Sequence, residues 1–172
     1  YTDTLGLRRV KKTVNFDAPD VYHLYYADEI GTPGTVMTYF PFPRAARGRR
    51  GAGEVALTSF AIPEGSATAW EARLRERHVE NLARDSAFGA ARVLFDGPDG
   101  ERLALVEVAG DDRAPWTGGG VETEIAIRGF HSVEMLLRDK APTVELLNFM
   151  GYREAGAESA VTRYEIAGGN PA

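Results

Sequence analysis

Cysteine is absent from this chain. That excludes a disulfide framework, a thiolate metal site and a cysteine nucleophile. Histidine is scarce: His23, His78 and His131 are far apart, and no HxH or HExxH pair joins any of them. A metal held here would need imidazole and carboxylate donors, which suit iron, manganese, zinc or nickel. No apolar run reaches the length of a membrane span, and no charged-then-apolar leader opens the chain, so the expected location is cytoplasmic. Positive charge is in deficit, with a net charge of -5 over 172 residues, so there is no overall field to hold nucleic acid. With 44% hydrophobic and 26% charged residues, the remainder is an ordinary globular composition. The length suits one domain, or small units sharing a core.

Aromatic residues concentrate in one stretch, Tyr22 to Pro43, YHLYYADEIGTPGTVMTYFPFP. Polar and apolar residues alternate, turn at Gly31-Thr-Pro-Gly34 and alternate again, which predicts two paired strands. Tyr22, Leu24 and Tyr26 share one face; Val21, His23 and Tyr25 share the other. On the return strand Val36, Thr38 and Phe40 oppose Met37 and Tyr39. Two faces this large require cover, one by a helix and the other by core or a cavity. Walls of Tyr, His and Phe suit a planar organic ligand, and they equally suit a closely packed aromatic sheet.

Leu5-Gly6-Leu7 reads as a helix end with glycine just past it, and a strand follows through Val10, Lys12 and Val14. Residues 44–53 carry four arginines among glycines, fit for an anionic partner or for a solvated linker. Glu54 to Ile62 predicts a strand, and Ala67 to His78 an amphipathic helix with Trp70 and Leu74 on its buried stripe. His78 falls at the helix end, where histidine favours the last carbonyls. Ala90 to Asp96 and Glu101 to Val108 form a hairpin about Gly97-Pro-Asp-Gly100, whose acidic residues lack calcium-loop spacing. Asp111 to Gly120 reads as a linker, since neither lysine nor helix follows its three glycines. A strand from Glu124 to Leu137, a cap at Asp139, a helix from Pro142 to Met150 and a strand from Val161 to Ile166 complete the chain.

Two junctions repeat: Leu5-Gly6-Leu7-Arg8 and Met150-Gly151-Tyr152-Arg153 both pass from helix end to strand. The helices near Ala67 and Pro142 lie about 75 residues apart, the size of one strand–helix–strands module with its linker. The expected fold class is therefore α+β, built of repeated βαβββ modules with curled mixed sheets. The modules are 1–43, lacking its first strand, 44–110, and 124–172, the start of a third, with 111–123 as linker. On this reading the chain is a fragment. An unfinished module exposes a sheet edge and apolar surface, which invites aggregation or pairing with another copy.

Gly6 to Pro43, GLRRVKKTVNFDAPDVYHLYYADEIGTPGTVMTYFPFP, closely resembles the first module of hydroquinone-type ring-cleaving dioxygenases, within the vicinal oxygen chelate (glyoxalase, bleomycin-resistance and extradiol dioxygenase) superfamily. GRRGAGEVALTSFAIPEGS, FDGPDGERLALVEV and IRGFHSVEMLLRD support the resemblance. It implies glyoxalase-like modules paired around an open cavity, a small aromatic diol and dioxygen as substrates, and iron(II), or sometimes manganese(II), held by two histidines and a glutamate. The resemblance places one histidine ligand upstream of Tyr1, and the other histidine and the glutamate beyond Ala172, so no metal ligand is carried over to this chain. His131 stands where some branches place a metal histidine, with Glu165 as the nearby carboxylate; a hydrogen-bonded core histidine is the alternative. His23, Tyr25 and Phe40 are the expected substrate-lining residues. Two other functions fit the same architecture: a metal-free small-molecule-binding protein, and a glyoxalase-like lyase or isomerase that needs no dioxygen.

Overall fold

The computed structural model describes residues 1–46 and 48–169; Arg47 of the arginine-rich connector and the last three residues lie outside them. Its elements run α1 (Thr2–Leu5), β1 (Arg8–Val14), β2 (Tyr22–Ala27), β3 (Met37–Tyr39), β4 (Glu54–Pro63), α2 (Ala67–Glu76), β5 (Ala83–Ala87), β6 (Ala90–Asp96), β7 (Arg102–Val108), β8 (Gly129–Leu136), α3 (Ala141–Phe149), β9 (Arg153–Glu158) and β10 (Val161–Glu165). No helix among the described residues is long and apolar enough to cross a membrane.

Three sheets form, in the orders β1-β2-β3, β10-β9 and β5-β6-β7-β4-β8. Within the largest, β4 pairs parallel with β7 and antiparallel with β8. The stretch β4-α2-β5-β6-β7 is thus one complete βαβββ unit, with its first strand beside its last. Residues 1–39 repeat the order helix-strand-strand-strand, and residues 129–165 repeat strand-helix-strand-strand. Among the described residues, no strand occupies the place beside β3 that β4 takes beside β7. Equally, none bridges β8 to β10 as β7 bridges β4 to β6, which explains why β9 and β10 stand as a separate sheet.

The principal core lies between α2 and the five-stranded sheet. Trp70 and Leu74 of α2 meet Phe60, Ile62, Val93, Phe95, Leu103 and Leu105, and Leu5 and Leu7 at the end of α1, with Tyr26 and Met37 of the first sheet, close it from the other side. Burying side chains of this size stabilises by about 1.5–3 kcal/mol each before entropy is counted. The indole Nε1 of Trp70 donates to the carbonyl of Ile125 at 2.7 Å, so the one polar atom of that ring is satisfied inside the core. Arg73 clamps the end of α1: Nε donates to the Thr4 carbonyl at 2.8 Å and Nη2 to that of Asp3 at 2.8 Å. A four-residue helix cannot hold itself; a cation on its terminal carbonyls fixes it.

The three helix ends share one device. Gly6 (φ 71°) and Gly151 (φ 97°) are left-handed, as the two repeated junctions require, and His78 (φ 54°) takes the same conformation after α2. Val79 N–H donates to Leu74 O at 3.1 Å, and Tyr152 N–H to Leu147 O at 2.9 Å, the same bond closing both helices. At Gly6 freedom of space matters as well, because a Cβ there would strike Val121.

Several elements differ from the sequence reading. Residues 124–128 are not strand: the Glu122 carbonyl accepts from Ile125 and Ala126 N–H groups, a turn that drives Ala126 and Ile127 into the core. β5 is an unforeseen strand, because ARDSA has no apolar alternation; it pairs with β6 through its backbone and through Asp85, which stands opposite Arg92. The return strand shrinks to Met37–Tyr39, and α2 stops at Glu76, two residues early. The 111–120 stretch has no regular structure, yet it is anchored: the Asp111 carboxylate, 1% exposed, pairs with Arg113 at 2.6 Å, and Arg113 donates to the Phe130 carbonyl.

Candidate functional site: the aromatic face of the first sheet

β2 pairs antiparallel with β1 and β3, placing Thr13 opposite His23, Lys11 opposite Tyr25, and Met37 opposite Tyr26. Alternation then separates two aromatic faces. Tyr26 and Met37 turn into the core, joined by Tyr1 and by Tyr39, whose ring stacks on Tyr1 at 4.3 Å. Burial pushes the Tyr39 phenol well above its ordinary range, so it stays protonated beside Glu101. This face is structural.

The other face turns away from the core. His23 stacks on Tyr25 with ring centroids 4.0 Å apart and lies 4.0 Å from Phe40. The Tyr25 hydroxyl and His23 Nδ1 share a hydrogen bond of 2.8 Å. His23 Nε2 is buried and has no hydrogen-bond partner among the described residues. Phe40 is 39% exposed and Phe42 52%, which leaves an open aromatic edge next to the pair. The three expected substrate-lining residues are therefore brought together on one surface.

The loop beyond β2 is fixed by Asp28, whose Oδ1 accepts from the N–H groups of Ile30, Gly31 and Thr32 at 3.2, 2.8 and 3.0 Å. Burial raises this carboxyl, but the hydrogen bonds from Thr32, Gly31 and Ile30 outweigh it and hold it below the usual carboxylate range. Rigid anchoring of that loop sets the position of β3 and of Phe40 beyond it. Sequence patterning did not single out Asp28, although Asp followed by Gly-Thr-Pro-Gly is an Asx-turn signal.

His131 lies elsewhere, on β8. Its Nδ1 sits 2.8 Å from Ser132 Oγ, and its surroundings are cationic. Burial lowers its pKa to about 4, with Arg163, Arg113 and Arg92 adding to the shift and Asp111 opposing it. Glu165, the carboxylate proposed for it, is held by Arg163 at 2.6 Å. Arg92 is itself paired with Asp85 at 2.8 Å and Glu134 at 2.6 Å. Each of the three arginines about His131 thus already has a carboxylate partner of its own. His78 is a helix cap.

No group of three or more histidine and carboxylate side chains among the described residues could hold a metal ion. The donors needed for the iron(II) that the resemblance implies are not assembled among the described residues.

The βαβββ unit and its partial repeats define the class: a module-built α+β protein of the glyoxalase-like type. Comparison with known proteins places it more closely. The chain is 41% identical over 169 residues to MhqO of Bacillus subtilis strain 168, named a ring-cleaving dioxygenase, covering 98% of this chain and 54% of that protein. It is 36% identical over 174 residues to the chlorohydroquinone/hydroquinone 1,2-dioxygenase of Sphingobium indicum, again covering 98% and 54%. A crystal structure of a Bacillus subtilis protein named a dioxygenase superposes with a TM-score of 0.92 at 42% identity, covering 98% of this chain and 54% of that one. No family model matches. The chain is similar along nearly its whole length to proteins named ring-cleaving dioxygenases, the likeness expected from residues 6–43, and it spans about half the length of the curated relatives it matches.

Proposed function

We propose that this chain forms part of a ring-cleaving dioxygenase for hydroquinone-like aromatics. In this reading the His23–Tyr25–Phe40 face is one wall of the substrate cup, and the metal-holding residues lie in polypeptide outside residues 1–172. The observation that carries the reading is the likeness along nearly the whole chain to enzymes named for this chemistry, together with an aromatic face turned outward in that same region. The two strandless places, beside β3 and between β8 and β10, support a longer polypeptide.

The Lewis-acid chemistry of an iron(II) or manganese(II) ion would be supplied by donors outside residues 1–172. This chain's own residues do simpler work. Phe40 and the stacked His23–Tyr25 pair offer π faces to a planar ring and exclude water from one side of it. The Tyr25 hydroxyl fixes the His23 ring through Nδ1 and so holds the stacked pair in place.

Oxygen consumption by the iron-loaded full-length protein, with methyl- or chlorohydroquinone, tests this. Uptake matched to loss of the aromatic absorbance is expected, with Phe40→Ala lowering kcat/KM about tenfold or more. Turnover of the ring without oxygen uptake would point to a lyase or isomerase instead. A second reading, a metal-free binding protein, draws on the lack of a three-donor cluster among the described residues. It predicts aromatic binding that chelators leave unchanged, and no oxygen uptake at all.

A further inference from the structure

The charge on the first sheet is one-sided. β1, β2 and β3 contain Arg8, Arg9, Lys11 and Lys12 and no aspartate or glutamate, although the whole chain carries a net -5. None of these four cations makes an ion pair among the described residues. Two are already engaged in other ways. Arg8 donates to the Glu29 carbonyl and lies 5.3 Å from the Trp116 ring. The Lys12 Nζ sits 3.6 Å from the Tyr22 ring.

Lys11 differs from both. It stands opposite Tyr25 and next but one to Thr13, which faces His23, so its side chain belongs to the outward aromatic face. Its Nζ lies over the Tyr25 ring at 5.4 Å, a cation–π contact on the outward face itself, and is exposed with no carboxylate partner among the described residues. A neutral aromatic ring needs no such cation. A ring bearing an anionic oxygen, seated on Phe40 and His23, would meet an unpaired ammonium at the edge of the same surface.

We infer that Lys11 is a specificity-determining residue that makes this face select aromatic ligands carrying an anionic oxygen, a phenolate or a ring carboxylate, over neutral ones. The inference rests on the reading of the His23–Tyr25–Phe40 face as the substrate wall. Lys11 touches no reacting atom; it acts through the charge of the ligand. The alternative role is that of an edge-strand lysine, since β1 borders its sheet and charge there deters pairing with another chain.

Calorimetric titration of the chain separates the two. The probes are phenol, 4-nitrophenol below and above its own ionisation, and benzoate. The proteins are wild type, Lys11→Met, Lys11→Arg, Lys12→Met and Phe40→Ala. The 4-nitrophenolate should bind about tenfold more tightly than its neutral form, as expected for one added charge pair at this range in a partly solvated site. Lys11→Met should abolish that preference and leave phenol unchanged, Lys11→Arg should restore it, and Lys12→Met, which removes the same net charge from another position, should keep it. Benzoate bound with the same dependence on Lys11 adds carboxylates to the class; benzoate without it confines the class to phenolates. Equal affinity for neutral and anionic ligands, or a Lys11→Met protein that aggregates but binds as wild type, would overturn the inference and leave the aromatic wall standing. No binding of any probe, or binding indifferent to Phe40→Ala, would overturn both.

Discussion

His78 is a residue out of place for a reason the geometry states plainly. It occupies the left-handed position that glycine holds after the other two helices, at φ 54°. A side chain there costs about 1 kcal/mol relative to glycine. His78→Gly should therefore raise stability by up to about 1 kcal/mol in urea melts, with no change in slope. His131 presents the opposite case, a titratable group in an environment that refuses its charge. Its folded pKa, about 4, lies below the ordinary 6.5, so the unfolded chain binds the proton more readily. Its contribution is complete above pH 6.5 and is lost as pH falls from there toward 4. Replacing it, as in His131→Gln, should flatten that part of the stability–pH profile while leaving stability at pH 8 within about 1 kcal/mol.

At the scale of elements, Arg73 joins α2 to the first module. Its guanidinium bonds the carbonyls of Asp3, Thr4 and Gly120, and Arg77 bonds Asp3 again. Arg73→Met removes the donor from the Thr4 and Gly120 carbonyls, leaving Asp3 with Arg77 alone, and should cost about 1–3 kcal/mol. The loss should appear first in amide exchange of α1 and β1, ahead of β4 and β7. The outer elements should exchange faster still. α3 has no buried residue, with Phe149 88% exposed, and the β9–β10 hairpin meets the rest chiefly where Phe88 N–H donates to Glu158 and Arg163 approaches the Phe88 ring. Hydrogen exchange should rank β9–β10 and α3 as least protected and β4, β7 and α2 as most. Several elements were legible from the sequence: β1 and β2 by alternation, β6 and β7 by the turn between them, α2 by its buried stripe, α3 by Asp139 and Pro142 at its start, and β4 as a strand ahead of α2. β5 was not, because its residues are mostly polar and show no alternation. The third copy of the helix-end junction was also hidden, since histidine stands at its glycine position.

At the scale of the whole molecule, the repeat is the organising fact. One complete βαβββ unit sits between two partial ones, and the core is shared across the first two. Alternation in the sequence put His23, Tyr25 and Phe40 on one face, and the structure joins them at ring separations of 4.0 Å. It could not show which face the core would take; that was settled by Leu5, Leu7 and Tyr26 packing toward α2. The cationic surroundings of His131 were likewise out of reach, because Arg92, Arg113 and Arg163 come from separate segments of the chain. The account as a whole depends on the outward aromatic face being where a ring substrate docks. Residue-resolved chemical-shift mapping of the labelled chain, titrated with methylhydroquinone, tests that claim most directly. The shifts should centre on His23, Tyr25 and Phe40 and vanish in Phe40→Ala. Shifts centred on His131 and Arg163, with His23 silent, would contradict it.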